Sequence, residues 1–293
     1  MKDAVLVTGA GTGLGLETAI HLAERGFEAY AAVHDEAARE SVEEAAAQRG
    51  VRLQVLKLDI TSQADIDRAV STVVERSGGI YGLVNNAGIG LRGFFEDLAD
   101  EEIRELFDVN VFATMAMTRA VVPHMRQARR GRITIITSVG GLISSLSVSA
   151  YCASKFAQEG FGEGLAQELQ PFGIYVSLIE PAIIETERWT INRSIARGAQ
   201  DPRSIYYAWF SGSERLADKL VETSPTRPRR VAQAVHKFMT ARRPRLRYLV
   251  GGRAALLVTL RRLMPARWFE TLYFGTVIRR VTRAGSRQPA PLP

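Results

Sequence analysis

Tyr151 and Lys155, four residues apart, are the pair in this chain best suited to moving a proton. Residues four apart on a helix share one face, and the pattern over 150–170 predicts a helix. A free phenol ionises near pH 10, too high to exchange protons readily at neutrality. A nearby ammonium favours the phenolate and lowers that value. Tyr151 could then act as an acid toward a ketone or a base toward an alcohol. Ser138, thirteen positions earlier at the end of a predicted strand, offers a hydroxyl that could hold the same substrate oxygen. Neither signal stands alone. Many helices carry a Tyr-x-x-x-Lys by chance, and Ser144, Ser145, Ser147 and Ser149 crowd the same loop.

A second chemistry-bearing segment lies near the start. Thr8-Gly9-Ala10-Gly11-Thr12-Gly13-Leu14-Gly15 joins a β-branched run to a helical pattern. Glycines there permit a tight turn and a close backbone approach to a pyrophosphate, which the helix N-terminus then attracts. The placement between strand and helix makes this a dinucleotide-binding loop rather than a mere glycine-rich turn. The next strand ends in Ala32-Val33-His34-Asp35. An acid at that strand end bonds the ribose of NAD, and a basic group receives the 2′-phosphate of NADP. Val33 occupies the acid's expected place and His34 follows, which favours NADP(H) over NAD(H). A shift of one residue, onto Asp35, would reverse that reading.

Taken together, these motifs resemble the classical short-chain dehydrogenase/reductase family. Order and spacing agree over residues 4–186: the glycine motif at 8–15, Asn85-Asn86-Ala87-Gly88, Asn110 within Asp108-Val109-Asn110-Val111, then Ser138, Tyr151 and Lys155. The resemblance implies an alcohol–ketone oxidoreductase in which Asn110, Ser138, Tyr151 and Lys155 are catalytic. It also implies that Lys155 bonds the nicotinamide ribose and that Asn110 positions a water in a proton relay. Asp59 and Ile60 would contact adenine. The cofactor would further lie against Gly9, Thr12, Gly13, Leu14, Gly15, Asn86, Ala87, Gly88 and Tyr151. Pro181 to Thr186 resembles the family's segment beside the nicotinamide, with Ile184 and Thr186 of the expected types. Ala182 departs from the family's glycine. Stretches 138–141, 151–157, 171–180 and 246–248 are similar to the 17β-hydroxysteroid dehydrogenase type 1 and retinol dehydrogenase branch, which implies a bulky apolar substrate.

The elements that must hold these residues alternate between strand and helix. Strands are expected at 4–7, 27–33, 51–58, 80–84, 132–137, 174–179 and 246–250. Helices are expected at 14–25, 36–49, 63–76, 101–126, 150–170 and 231–241. Such alternation implies βαβ units and an α/β, doubly wound (Rossmann-type) parallel sheet covered on both faces. Residues 1–250 read as one catalytic domain. Within it, 183–226 form an insertion rich in aromatics (Trp189, Tyr206, Tyr207, Trp209, Phe210). They could wall an apolar pocket or pack against the protein itself. Segment 251–283 is a helical extension, with Leu256, Leu260, Leu263 and Met264 on one face and Phe269, Leu272, Tyr273 and Val277 on another. Residues 284–293 read as a disordered tail.

The 293 residues are 46% hydrophobic and 24% charged, as expected of a soluble globular chain. A single cysteine, Cys152, excludes an internal disulfide. With no signal peptide or membrane-length apolar run, a cytoplasmic setting is expected. The net charge of +7 gathers late. Residues 227–293 hold 16 Lys and Arg against one acid, Glu270. A basic extension of this kind is a solvated tail, a lid or dimer flank, or a peripheral contact with anionic lipid. No nucleic-acid-binding motif accompanies it, and the four histidines have no metal-ligand spacing. A homodimer or homotetramer is expected through the 101–126 and 150–170 helices, where Gly160, Gly162 and Gly164 would permit close approach. A catalytically silent dinucleotide sensor or scaffold is the competing function, but such a protein has no chemical reason to retain all four catalytic residues.

Overall fold

The computed structural model describes residues 2–184 and 194–285. Seven parallel strands form one sheet in the order β3-β2-β1-β4-β5-β6-β7. They are β1 (Ala4–Val7), β2 (Glu28–Val33), β3 (Gln54–Lys57), β4 (Gly82–Asn85), β5 (Gly131–Ile136), β6 (Ile174–Pro181) and β7 (Arg247–Val250). The strand order reverses between β1 and β4, and ligands bind at such a switch point, beyond the carboxyl ends of the strands. Strands buried on both faces need helices above and below. One apolar layer gathers Val5, Val7, Leu22, Phe238 and Met239, and the other gathers Leu6, Tyr30, Leu83, Met117 and Ile133.

The helices flanking the sheet are α1 (Gly13–Glu24), α2 (Ala38–Gln48), α3 (Gln63–Ser77), α4 (Asp100–Phe107), α5 (Ala113–Gln127) and α6 (Ser149–Leu169). The single helix expected over 101–126 is divided. Between α4 and α5, residues Asp108–Phe112 form a π-helical turn centred on Asn110. Propensity and periodicity carry no signal for such a turn, and π turns tend to mark functional sites. Among the described residues the insertion holds a short 3-10 turn (Gly198–Gln200) and the 16-residue α7 (Tyr207–Glu222). Beyond it come α8 (Pro228–Thr240), α9 (Gly252–Leu263) and α10 (Ala266–Gly285).

Helix α6 carries Tyr151 and Lys155, and its seat on the sheet depends on a glycine. A Cβ on Gly162 would lie 2.5 Å from Leu178 Cδ2 and 3.4 Å from Ile135 Cδ1. Gly162 therefore serves the helix–sheet contact and not a neighbouring subunit. Gly160 and Gly164 face open space.

The same helix is tied to the sheet edge by charge. On β7, Arg247 reaches Glu159 at 3.1 Å, Glu163 at 2.6 Å and Glu180 at 3.4 Å. Glu159 and Glu180 are buried, and each leaves Oε1 without a hydrogen bond. Burial pushes both carboxyls up, and Glu180 reaches about 7 because Glu159 lies beside it, against the opposing pull of Arg247 and Arg262.

An unfolded chain ionises this carboxyl from about pH 4.5, while the folded chain holds its proton to about pH 7. Stability at this site is therefore complete below pH 4.5 and falls as pH rises through 7. Glu180→Gln removes that cost. It is expected to stabilise the fold at pH 8 by on the order of 3 kcal/mol, raising the thermal midpoint there, and to change it little at pH 5. Thermal melts at the two pH values check this.

Candidate active site

Beyond the switch point the glycine loop meets the Asn85–Gly88 segment at contact distance. Gly9 and Gly13 adopt φ of +63° and +56°, conformations that favour glycine. A Cβ on Gly15 would collide with the Gly9 carbonyl and with Asn86 Nδ2, and one on Gly9 would lie 2.8 Å from Ala87 Cα. Asn86 Nδ2 donates to the carbonyls of Thr8 (2.9 Å) and Gly9 (3.0 Å). Thr8 Oγ1 in turn accepts from the Asn86 and Ala87 amides at 3.1 and 3.0 Å. Thr12 is exposed at the N-cap of α1 with no side-chain capping bond, and Leu14 packs on the core. The result is a backbone cradle at a helix N-terminus, too tight for side chains at Gly9 and Gly15. That is the geometry a pyrophosphate requires.

The remaining expected cofactor residues lie around this cradle. His34 is exposed just past the end of β2, whose last residue, Val33, is buried and pairs in register with Lys57. Arg39, which donates to the Val55 carbonyl, brings a third basic side chain near the ends of β2 and β3. Asp59 Oδ1 accepts from Thr61 Oγ1 (2.6 Å) and the Thr61 amide (2.9 Å), which holds its pKa below the usual carboxylate value. Ile60 packs against the core. Pro181 and Ile184 are buried, and Thr186 lies outside the described residues. The methyl of Ala182 fits because its neighbour is Gly251, where an added Cβ would come within 2.5 Å of it.

Four elements bring the expected catalytic residues together. A Cβ on Gly88 would meet Asn110 Oδ1 at 3.0 Å and Lys155 Nζ at 3.9 Å. One on Gly140 would meet Ser138 Oγ and the Tyr151 ring, both at 3.4 Å. Ser138 Oγ accepts from the Gly140 amide, which fixes its rotamer. Asn110 is fully buried. Its side chain donates to the Ile89 carbonyl (3.0 Å) and Ser154 Oγ (3.1 Å), and accepts from the Ile89 amide (2.8 Å). Lys155 is buried and donates to the Ile136 carbonyl (3.1 Å) and to Gln158 Oε1 (2.9 Å). Sequence reasoning passed over Gln158, because a glutamine one turn past the lysine looks like any polar helix residue. Its burial is visible only in the structure.

Beside Tyr151 the surroundings are apolar. Leu91, Leu106, Ala150, Ala196, Ala199 and Phe210 form a buried cluster against which the tyrosine packs. Of the aromatic insertion, Phe210 joins this wall, while Tyr206 stacks on Phe94 at 4.8 Å. Trp189 lies outside the described residues. A buried ion pair, Arg92 with Glu214 at 2.8 Å, joins the loop after β4 to α7. On the far side of Ser138, Phe269 and Val258 of the extension pack with Ile143 and Leu142. Cys152 is buried among these groups, and burial pushes its thiol up, so it is no nucleophile.

A dinucleotide cradle opposite a Ser-Tyr-Lys constellation on a doubly wound sheet defines an oxidoreductase of the dehydrogenase type. The model of the short chain dehydrogenase family matches residues 3–195, and the chain belongs to that family. Among curated relatives, human retinol dehydrogenase 8 is 34% identical over 88% of this chain and 84% of its own. The 3-ketodihydrosphingosine reductase of Bacteroides thetaiotaomicron is 34% identical over 84% and 87%. Human 17-beta-hydroxysteroid dehydrogenase type 1 is 32% identical over 89% and 81%. Among solved structures, an actinorhodin polyketide ketoreductase with NADPH superposes with a TM-score of 0.74 at 27% identity, over 86% of this chain and 96% of that one. A Burkholderia phymatum short-chain dehydrogenase in complex with NAD gives 0.78 at 23% identity, over 100% and 97%, a likeness of fold.

Proposed function

We propose that this enzyme interconverts a secondary alcohol and a ketone on a bulky apolar substrate, hydroxysteroid- or retinoid-like, using NADP(H) in preference to NAD(H). The observation that carries the substrate class is the apolar wall against Tyr151, formed by Leu91, Leu106, Ala150 and Phe210. Such a wall desolvates hydrocarbon and leaves only the reacting oxygen to polar groups. Retinol, hydroxysteroid and ketosphingoid names among the relatives agree with it.

The cofactor fits the cradle built by Gly9, Thr12, Gly13, Gly15 and Asn86, where any Cβ at Gly15 would fill the space. When bound there, the nicotinamide supplies or accepts the hydride. The chain's own residues handle the oxygen and the proton. Ser138 Oγ, its rotamer set by the Gly140 amide, holds the substrate oxygen. Tyr151 gives that oxygen a proton in reduction and removes one in oxidation. The Lys155 ammonium favours the phenolate and serves the nicotinamide ribose. Asn110 holds Ile89 in place from within its π turn. His34, with Lys57 and Arg39 nearby, receives the 2′-phosphate. The outer face of α6 around Gly160 and Gly164, where nothing packs, is the surface for self-association.

Fluorescence titration with NADPH and NADH, followed by cofactor absorbance with a panel of steroid and retinoid ketones, tests this reading. Turnover of a bulky ketone with NADPH is expected, and failure to bind either cofactor refutes it. Tyr151→Phe is expected to bind cofactor normally and to lose turnover about a hundredfold or more; undiminished turnover sinks the mechanism. His34→Asp is expected to move the NADPH-to-NADH affinity ratio toward NADH by about tenfold. An unmoved ratio places the 2′-phosphate elsewhere.

A further inference from the structure

The apolar stripe of α9 faces away from the protein. Leu256, Leu260 and Leu263 lie four and three apart, hence on one face, and are 64%, 41% and 78% exposed. Ala254 and Val258 of the same helix are buried. After the Met264–Pro265 turn the pattern continues on α10. Phe269 is buried toward the loop after Ser138, while Trp268 and Leu272 are 67% and 60% exposed. The lid reading therefore accounts for the buried side of each helix of this hairpin and leaves the exposed sides unclaimed. The same two helices carry the exposed guanidinium groups of Arg261, Arg267, Arg279 and Arg280. Glu270 is the one acid of the two helices.

We infer that this hairpin is a docking surface for an anionic lipid bilayer, with Leu260, Leu263 and Trp268 seated at the headgroup boundary. Three features select lipid. An apolar stripe with a tryptophan at its turn, bordered by arginine, matches the cross-section of an interface. A second copy of the chain on a two-fold axis would set arginine against arginine, so the face is poorly complementary to itself. No helix among the described residues is long and apolar enough to cross a membrane, so the contact lies in the interface plane. The surface stands on exposure and charge and does not depend on the substrate assignment.

The test is vesicle flotation of the full-length protein. Binding to phosphatidylcholine vesicles with a quarter phosphatidylglycerol should exceed binding to pure phosphatidylcholine at least tenfold. It should weaken in 0.5 M salt. The Leu263→Glu/Trp268→Glu variant should lose it more than tenfold while still titrating with NADPH. Equal flotation of the double variant overturns the inference. So does an absence of binding to either vesicle, or a dimer that the same substitutions dissociate, which would give the face to a second copy.

A separate observation concerns Lys155. Gln158 is 1% exposed and spans the gap between the lysine and the π turn. Its Oε1 accepts from Lys155 Nζ at 2.9 Å, and its Nε2 donates to the Asn110 carbonyl at 2.6 Å and to Thr114 Oγ1 at 3.2 Å. Thr114 Oγ1 donates to the same carbonyl at 2.8 Å. The Asn110 carbonyl thus has two donors, one of them Gln158. We propose that Gln158 is a positioning residue that fixes the Lys155 ammonium beside Tyr151.

Ultraviolet titration of the phenol, as the difference between each protein and its Tyr151→Phe counterpart, reads this without any substrate. Gln158→Met keeps the side-chain length and removes both hydrogen-bonding ends. It is expected to raise the Tyr151 midpoint by about one unit, while Gln158→Glu, which sets a carboxylate beside the Lys155 ammonium and offsets its field, raises it further. An unchanged midpoint in a folded Gln158→Met protein overturns the assignment.

Discussion

How closely helix α6 approaches the sheet governs the site. Tyr151 and Lys155 can face the switch point only if α6 lies nearly on β5 and β6, and the contact at Gly162 allows this. Gly141 plays the matching part at the other end of the helix, where an added Cβ would press to 2.9 Å from the Lys155 carbonyl. Interiors are packed densely enough that one misplaced methyl is felt. A bulkier residue at either position would lift the helix and carry the phenol away from Ser138. The Arg247 links to Glu159, Glu163 and Glu180 brace the outer side of the same helix.

Polar connections then transmit this placement. Lys155 is held by the Ile136 carbonyl at the end of β5 and by Gln158. Gln158 reaches the π turn, and Asn110 within that turn grips Ile89, which continues from the segment packed on the glycine cradle. Hydrogen bonds joined by the 86–89 backbone therefore run from Lys155 through Gln158 and Asn110 to the glycine loop. Buried polar groups are costly when unsatisfied, so a satisfied network of this kind favours one arrangement strongly over its alternatives.

Much of this was legible in the sequence. β1 and the helices at 13–24, 63–77 and 149–169 lie within a residue or two of the expected bounds, because their apolar periodicity and glycine punctuation are strong. Ser138, Tyr151, Lys155, Asn110 and the glycine loop converge as their order implied. What escaped depends on tertiary context. The π turn inside the 101–126 segment arises from Asn110 bonding Ile89, a partner distant in sequence. The role of Gln158 rests on burial, to which helix periodicity is blind when the residue is polar. Sequence alone groups Gly160, Gly162 and Gly164 as one association surface, although Gly162 faces the sheet and Gly160 and Gly164 face open space. The leucine stripe of α9 was visible as a stripe, but periodicity cannot tell which side of an amphipathic helix meets the protein.

In the proposed reaction Tyr151 and Ser138 position a carbonyl carbon for hydride transfer at the end of the glycine cradle. Its most direct test is mass spectrometry of the alcohol formed from a steroid or retinoid ketone with NADPH deuterated on one face at C4. The account predicts that deuterium from one C4 face alone appears at the carbinol carbon, and that Tyr151→Phe suppresses its appearance. Alcohol formed without deuterium from either face, or no alcohol from any bulky ketone while a small polar one reacts, would contradict it.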